Sequence, residues 1–332
     1  MSYNFEKLVL YLNSISSFTT ITLCIISLLF IYDKWKKDNI NKVYNEIAAA
    51  QFIFGLISGI VNCIARMEVI IDGSCGIIYL YHFKELGKKI NIIVIFIAMT
   101  CLYINIAMPA AIMVSRNLVI VKKKILETRH TFFLLSVTFF FVIELALAIT
   151  LCYNYDNNGN LLYNISMTKT IFIDDISSKF YCPGCEIISP YGFIVVLSIM
   201  LFFSANYIIF FFQYKSYNKY IKQYSETMTM KTKKMNNEFL KILYLQNLTP
   251  VLITGLPTLV LIASIFLKFD IIIFTGSTYL ILFINFVPAI NAIFFIFLPS
   301  GNRRKIKNFV RFFYYKNKQN NVRTLNFQTT RI

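Results

Sequence analysis

The amino-acid sequence predicts an all-α membrane protein, a bundle of seven transmembrane helices followed by a C-terminal helix in the membrane interface. Apolar residues make up 57% of the 332 residues, charged residues make up only 15%, and the charges are grouped between long apolar runs. A soluble domain has about 45 to 50% apolar residues and spreads its charges over helix surfaces. This composition therefore indicates a chain that folds in a bilayer.

Seven apolar runs are long enough to cross a bilayer, because a helix rises about 1.5 Å per residue through a hydrocarbon core of about 30 Å. They cover residues 8–32, 44–64, 90–114, 132–152, 191–212, 242–267 and 271–298. The run from Gly76 to Phe83 is too short to cross and is interpreted as a loop. The first run lacks a cleavage pattern and is expected to remain as an anchor. We expect one bundle over residues 1–298 and a tail over residues 299–332.

The loop charges predict the orientation, since Lys and Arg accumulate on the cytoplasmic side. With the N-terminus outside, 25 of the 33 Lys and Arg residues fall in cytoplasmic segments and eight in outer ones. The acceptor Asn164-Ile165-Ser166, in the connection between the fourth and fifth spans, predicts N-glycosylation on the outer side. We expect a plasma-membrane protein with a cytoplasmic C-terminus. The net charge of +17 is attributed to contact with anionic lipid and not to nucleic acid.

The tail is predicted to contain an amphipathic helix over residues 302–315. Its apolar residues recur at helical spacing and basic residues surround them, which is typical of a helix that lies in the inner interface. The apolar face consists of Ile306, Phe309, Val310, Phe313 and Tyr314.

Catalytic and metal-binding patterns are not found in the sequence. His82 and His130 are far apart and fall on opposite predicted sides of the membrane, so no histidine cluster is expected. We predict no enzyme activity, no cofactor and no metal site. Cys75, Cys182 and Cys185 lie near the outer face, where the compartment is oxidising. A bridge from Cys75 to Cys182 or Cys185 is preferred, and a local bridge between Cys182 and Cys185 is the alternative.

Glu144 lies in the outer half of the fourth span, where an acid is costly to bury. It is a candidate for the ligand pocket, contacting a ligand or ion inside the bundle. The alternative, which the sequence favours, is a neutral carboxyl bonded to a neighbouring hydroxyl or amide.

Four prolines fall within the third, sixth and seventh spans, where proline kinks a helix by removing a backbone donor. They are candidates for activation hinges, or they only shape the bundle. The four are Pro109, Pro250, Pro257 and Pro288.

The inner end of the third span resembles a known receptor signature. Its residues are Ser115-Arg116-Asn117-Leu118-Val119-Ile120-Val121, similar to the Asp-Arg-Tyr-Leu-Ala-Ile-Val signature of rhodopsin-like G-protein-coupled receptors. Arg116 matches the signature arginine, but Ser115 and Asn117 replace the acid and the tyrosine. In the seventh span, Val287-Pro288-Ala289-Ile290-Asn291 resembles a degenerate Asn-Pro-x-x-Tyr motif that keeps the proline.

The resemblance is closer to nematode serpentine chemoreceptors, particularly the Str and Srd groups. Their Gln-x-x-x-Pro pattern resembles the sixth span here, in which Leu245-Gln246 is followed by Pro250 and Pro257. Their proline-rich seventh span, which is followed by basic residues, resembles the segment from Pro288 to Asn291 that leads to Arg303. The resemblance implies a chemosensory receptor that binds an external, odorant-like small molecule and signals to a heterotrimeric G protein.

The resemblance assigns G-protein coupling to Arg116, which we expect to reach water or partner carbonyls at the inner end of the third span without a desolvation penalty. Asn291 joins the prolines as an activation candidate. A transporter or ligand-gated channel is the alternative function. It is disfavoured because ion pathways usually contain several ionisable residues within the spans, whereas Glu144 is the only deep one here.

Overall fold

The computed structural model describes residues 3–35, 42–72, 75–83, 87–123, 127–155, 184–186, 189–267, 269–308 and 311. The helices are α1 (Tyr3–Trp35), α2 (Lys42–Ala65), α3 (Gly87–Ile120), α4 (Thr128–Tyr155), α5 (Pro190–Gln223), α6 (Met230–Pro250), α7 (Leu256–Leu267) and α8 (Asp270–Phe297). A π-helical turn over Val251–Gly255 joins α6 to α7, so that these three segments form one span. Within the described residues, seven spans are long and apolar enough to cross a membrane.

Helix α3 is the centre of the bundle. It packs against α2, α4, α5, α6 and α8, and its apolar stretch is largely buried. The predicted seven-helix bundle is therefore confirmed.

The fifth and sixth spans extend beyond their predicted limits, since α5 continues to Gln223 and α6 begins at Met230. The lysine-rich segment between these spans is thus mostly helical.

A three-stranded antiparallel sheet covers one end of the bundle, which we call the sheet end. Strands β1 (Met67–Asp72), β2 (Cys75–Leu80) and β3 (Gly184–Glu186) lie in that order. The interpretation of residues 76–83 as a loop is wrong for β2, because the backbone of Cys75–Leu80 pairs with that of Met67–Asp72 along its whole length. Ile78 and Leu80, two residues apart, are both buried.

At the opposite end, which we call the tail end, a short helix α9 over residues 300–308 follows α8. The Ser300 backbone N–H and hydroxyl both donate to the Glu238 carboxylate of α6, at 3.0 and 3.1 Å. Lys305 forms a salt bridge with Asp33 of α1. The predicted C-terminal helix is thus present and held between α1 and α6; residues 309–310 and 312–315 of the prediction lie outside the described residues.

Candidate functional site

Arg116 lies near the tail end of α3 and is enclosed by two aromatic rings. Its guanidinium carbon is 4.5 Å from the ring centroid of Phe239 on α6 and 5.0 Å from that of Tyr44 on α2. The two rings also contact each other edge to face, with centroids 5.1 Å apart. We call Tyr44, Arg116 and Phe239 the aromatic clamp, because they join three helices at one point.

The structure contradicts the expectation that Arg116 is accessible, since only 7% of the residue is exposed. The physical reason lies in the neighbouring positions. Ser115 carries no charge and its hydroxyl donates to the Ile112 carbonyl oxygen at 2.8 Å. The aromatic faces stabilise the cation instead, by about 2 kcal/mol when such a pair is shielded from water. The sequence missed this environment because Tyr44 and Phe239 are distant in the chain.

The sixth span changes its helical geometry directly after Pro250. The π-helical turn begins at the next residue, and the Thr254 hydroxyl donates to the Pro250 carbonyl oxygen. Just before the proline, the Gln246 side chain donates to the Asn291 carbonyl oxygen of α8 at 2.9 Å. The two motifs singled out in the sixth and seventh spans therefore touch, at a place where the helix departs from α geometry.

The other candidate prolines lie inside helices, Pro109 in α3, Pro257 in α7 and Pro288 in α8. Asn291 is 1% exposed, and its side-chain amide has no protein hydrogen bond among the described residues. Pro109, Pro288 and Asn291 are thus buried in the packed interior of the bundle, whereas Pro257 is half-buried at the start of its helix.

A buried polar cluster that the sequence analysis did not identify joins α1, α2 and α8. The Asn62 amide donates to the Asn13 side-chain oxygen and to the Ser17 hydroxyl, both at 2.7 Å. It also accepts from the Asn285 side chain at 2.9 Å. We call these four residues the asparagine hub. The only sequence signal was the position of each asparagine within an apolar run.

The same three helices approach closely at Gly55 of α2. A Cβ atom built there would lie 2.7 Å from the Cys24 sulfur and 3.2 Å from the Pro288 Cβ. The glycine permits this close approach, because an added side chain would press on the Cys24 side chain and on Pro288.

A groove with a volume of about 460 Å³ lies between α3, α4 and α5. Its floor is formed by the small side chains Ala107, Ala110 and Ala111 of α3, which are all buried. Exposed side chains of α4 and α5 form its walls: Val137, Phe141, Glu144, Leu201, Ala205 and Ile209. We call this cavity the alanine groove. It opens away from the bundle interior, on the side that faces lipid in a membrane.

Glu144 lies on the wall of the alanine groove, in the half of α4 nearer the sheet end. The Thr138 hydroxyl and the Asn206 amide, which also line the groove, donate to carbonyl oxygens of their own helices at 2.8 Å. In the part of the chain that the structure describes, no hydrogen bond or ion pair reaches the Glu144 carboxyl. The favoured expectation of a hydroxyl or amide partner for Glu144 therefore stays a prediction.

The cysteine and glycosylation candidates are only partly described. Strand β2 pairs with β3 so that Cys75 is opposite Glu186 and Gly76 is opposite Cys185. The backbone segments that carry Cys75 and Cys185 are thus neighbours at the sheet end. Cys182 and Asn164 lie outside the described residues.

Comparisons with known proteins agree on the fold. A family model described as serpentine type 7TM GPCR chemoreceptor Str matches residues 10–307. The crystal structure of squid rhodopsin superposes with a TM-score of 0.62 at 14% sequence identity, covering 94% of this chain and 87% of the rhodopsin chain. At that identity the likeness shows the seven-helix fold alone. Curated protein sequences give no significant match.

Proposed function

The chain belongs to the Str family of serpentine seven-transmembrane chemoreceptors, and on that premise we propose that it binds an external, odorant-like molecule and signals to a heterotrimeric G protein. The single observation that carries the signalling part is the aromatic clamp. A charged side chain with five donors is held at the tail end by rings from two other helices.

The clamp supports a two-state arrangement of the tail end. A planar guanidinium suits the carbonyl or carboxylate groups of a partner, but Phe239 of α6 covers Arg116 in this structure. A partner reaches the guanidinium only after α6 separates from α3. We propose Pro250 and the adjoining π-helical turn as the hinge for that movement, with Pro109, Pro257, Pro288 and Asn291 as further adjustable positions.

Basal signalling tests the clamp without a known ligand. Phe239→Leu keeps an apolar side chain but removes the ring face, so basal second-messenger output should rise by up to about thirtyfold for a shielded cation–π contact of about 2 kcal/mol. Tyr44→Phe keeps its ring and serves as the matched control. Surface labelling of the same cells normalises the signal.

Adding Arg116→Ala to Phe239→Leu should abolish the elevated signal at equal surface expression, because the partner contact is lost. Arg116→Lys should restore only part of it, since a lysine lacks the planar fork. A double variant that keeps the full signal would reject the role of Arg116 in coupling. A stimulus-evoked current that persists without G protein would instead favour the channel or transporter alternative.

We further propose that the sheet end faces outwards and the tail end faces the cytoplasm, as the loop charges predict. Endoglycosidase should then shift the wild-type band but not that of Asn164→Gln. Staining of a tail epitope in intact cells would overturn this orientation. In an oxidising exterior we keep the bridge from Cys75 to Cys182 or Cys185 as the preferred one; the pairing of β2 with β3 brings the two segments together but does not select between this bridge and the local one.

A further inference from the structure

The alanine groove combines a cavity, a lipid-facing opening and a single acid. We propose that it binds a membrane-dissolved amphiphile whose protonated amine pairs with Glu144 and whose apolar part lies along the alanine floor. This proposal deepens the proposed receptor function and rests on it: the amphiphile is a ligand of the receptor that enters from the bilayer.

The shape of the groove suits an elongated apolar molecule. Its wall on α4 runs from Leu134 to Glu144, a rise of about 15 Å along the helix. Its volume of about 460 Å³ falls within the range of about 300 to 1,000 Å³ that is typical of small-molecule sites. Most of its lining is aliphatic or aromatic, so an alkyl chain or ring system fills it without burying many polar groups that lack hydrogen-bond partners.

The charge of the groove selects the head group. Glu144 is its only ionisable lining residue, and the Thr138 and Asn206 side chains already donate within their own helices. A carboxylate that faces hydrocarbon without a partner is costly. An ammonium group neutralises it and donates up to three hydrogen bonds, whereas a second carboxylate or a phosphate would be repelled.

Two other occupants fit less well. A second copy of the chain would press its own α4–α5 face against the groove, but the exposed apolar residues of that face bring no cation to Glu144. A lipid acyl chain fills the apolar part and leaves the carboxyl unmatched. The amine satisfies both parts of the cavity.

Photoaffinity labelling of the full-length receptor in phosphatidylcholine nanodiscs tests the site directly. The probe is dodecylamine with a diazirine on its chain, and unlabelled dodecylamine competes. We expect labelled peptides from α4 and α5, and competition by dodecylamine but not by dodecanol. Glu144→Gln should weaken apparent binding about tenfold, as expected for the loss of one charged hydrogen-bonded pair.

Two matched variants separate the groove from general lipid contact. Ala205→Phe fills the groove and should abolish specific labelling. Ala263→Phe makes the same exchange at an exposed position of α7 and should leave labelling unchanged. Equal labelling of all lipid-facing helices, equal competition by dodecanol, or full labelling of either Glu144→Gln or Ala205→Phe would each overturn the proposal. Cross-linked dimers joined through α4 and α5 would also overturn it, in favour of a second copy.

Binding is measured without G protein, so the two proposals fail separately. Specific labelling of a receptor whose Phe239→Leu variant shows no G-protein signal supports the groove and rejects the coupling. A signalling receptor without specific labelling rejects the groove alone.

Discussion

The two sides of α3 are built differently. On one side, α1, α2 and α8 meet at the asparagine hub and at the close approach around Gly55. On the other side, α4 and α5 pack through apolar side chains and leave the alanine groove. The apolar stretches of α1, α2 and α8 are 33%, 50% and 61% buried inside the bundle, against 22% for α4 and 11% for α5. We call these the packed side and the open side.

This difference follows from the physics of helix association in a bilayer. Lipid tails are as apolar as leucine, so apolar surface alone does not hold helices together. Small residues that permit close approach, and polar side chains that bond across helices, provide the specificity. The packed side has both features at the asparagine hub and Gly55, whereas the Thr138 and Asn206 side chains at the alanine groove bond only within their own helices. The groove is therefore suited to admit a ligand.

Gly55→Val should have the largest effect of these variants. It tests whether the packed side leaves no room for a side chain at this position. The added carbons would overlap the Cys24 sulfur and the Pro288 ring, which should cost about 3 kcal/mol of folding free energy. Ala205→Leu adds the same three carbons at an exposed position of the open side and should be tolerated. Thermal unfolding of both purified variants measures the difference. If the two variants unfold at the same temperature, the packed side and the open side do not differ in packing as described.

Asn62→Leu should have a smaller effect, since it removes polar bonds without adding bulk. Three interhelical hydrogen bonds are lost, and at a mean of about 0.6 kcal/mol each the sum is about 2 kcal/mol. Asn206→Leu is the control on the open side, where the amide bonds only within its own helix. Its unfolding temperature should stay close to that of the wild type. A larger loss for Asn206→Leu than for Asn62→Leu would contradict this assignment.

The sequence predicted what depends on length and composition. The apolar runs predicted the bundle because a span must satisfy its backbone within one helix, and the apolar period after Pro299 predicted the C-terminal helix. Strand β2 was missed because its run was considered only as a membrane span and was too short for one; its partners are β1, separated from it by two residues, and β3, about a hundred residues later.

The sites were less predictable because their contacts join residues that are distant in the chain. Arg116 was singled out from its motif, but its environment depends on Tyr44 and Phe239, which only the fold brings together. Glu144 was singled out as a deep acid, but whether it faces a partner helix or lipid depends on the rotation of α4. Neither contact leaves a local sequence signal.

Glu144→Leu should have the smallest effect on folding. It tests whether the Glu144 side chain of α4 faces the open side or a hydrogen-bond partner within the protein. A buried, bonded carboxyl would leave an unmatched partner behind when replaced by leucine, so expression would fall. Glu144 instead faces the alanine groove without a protein hydrogen bond among the described residues, and leucine is easier to insert in a bilayer than an acid. Surface expression of Glu144→Leu should therefore equal or exceed that of the wild type.

The matched control is Val142→Gln, two residues away on the same helix but fully buried. An amide at that position has to be buried against apolar neighbours, so expression should drop. Surface labelling of the two variants in the same cells makes the comparison. If Glu144→Leu is lost while Glu144→Gln is kept, the carboxyl has a partner in the folded receptor, and the open side then has a polar anchor like that of the packed side. If Glu144→Leu is expressed normally, the acid does not stabilise the fold. A bound ligand is then the group that offsets the free-energy cost of placing this acid in the bilayer.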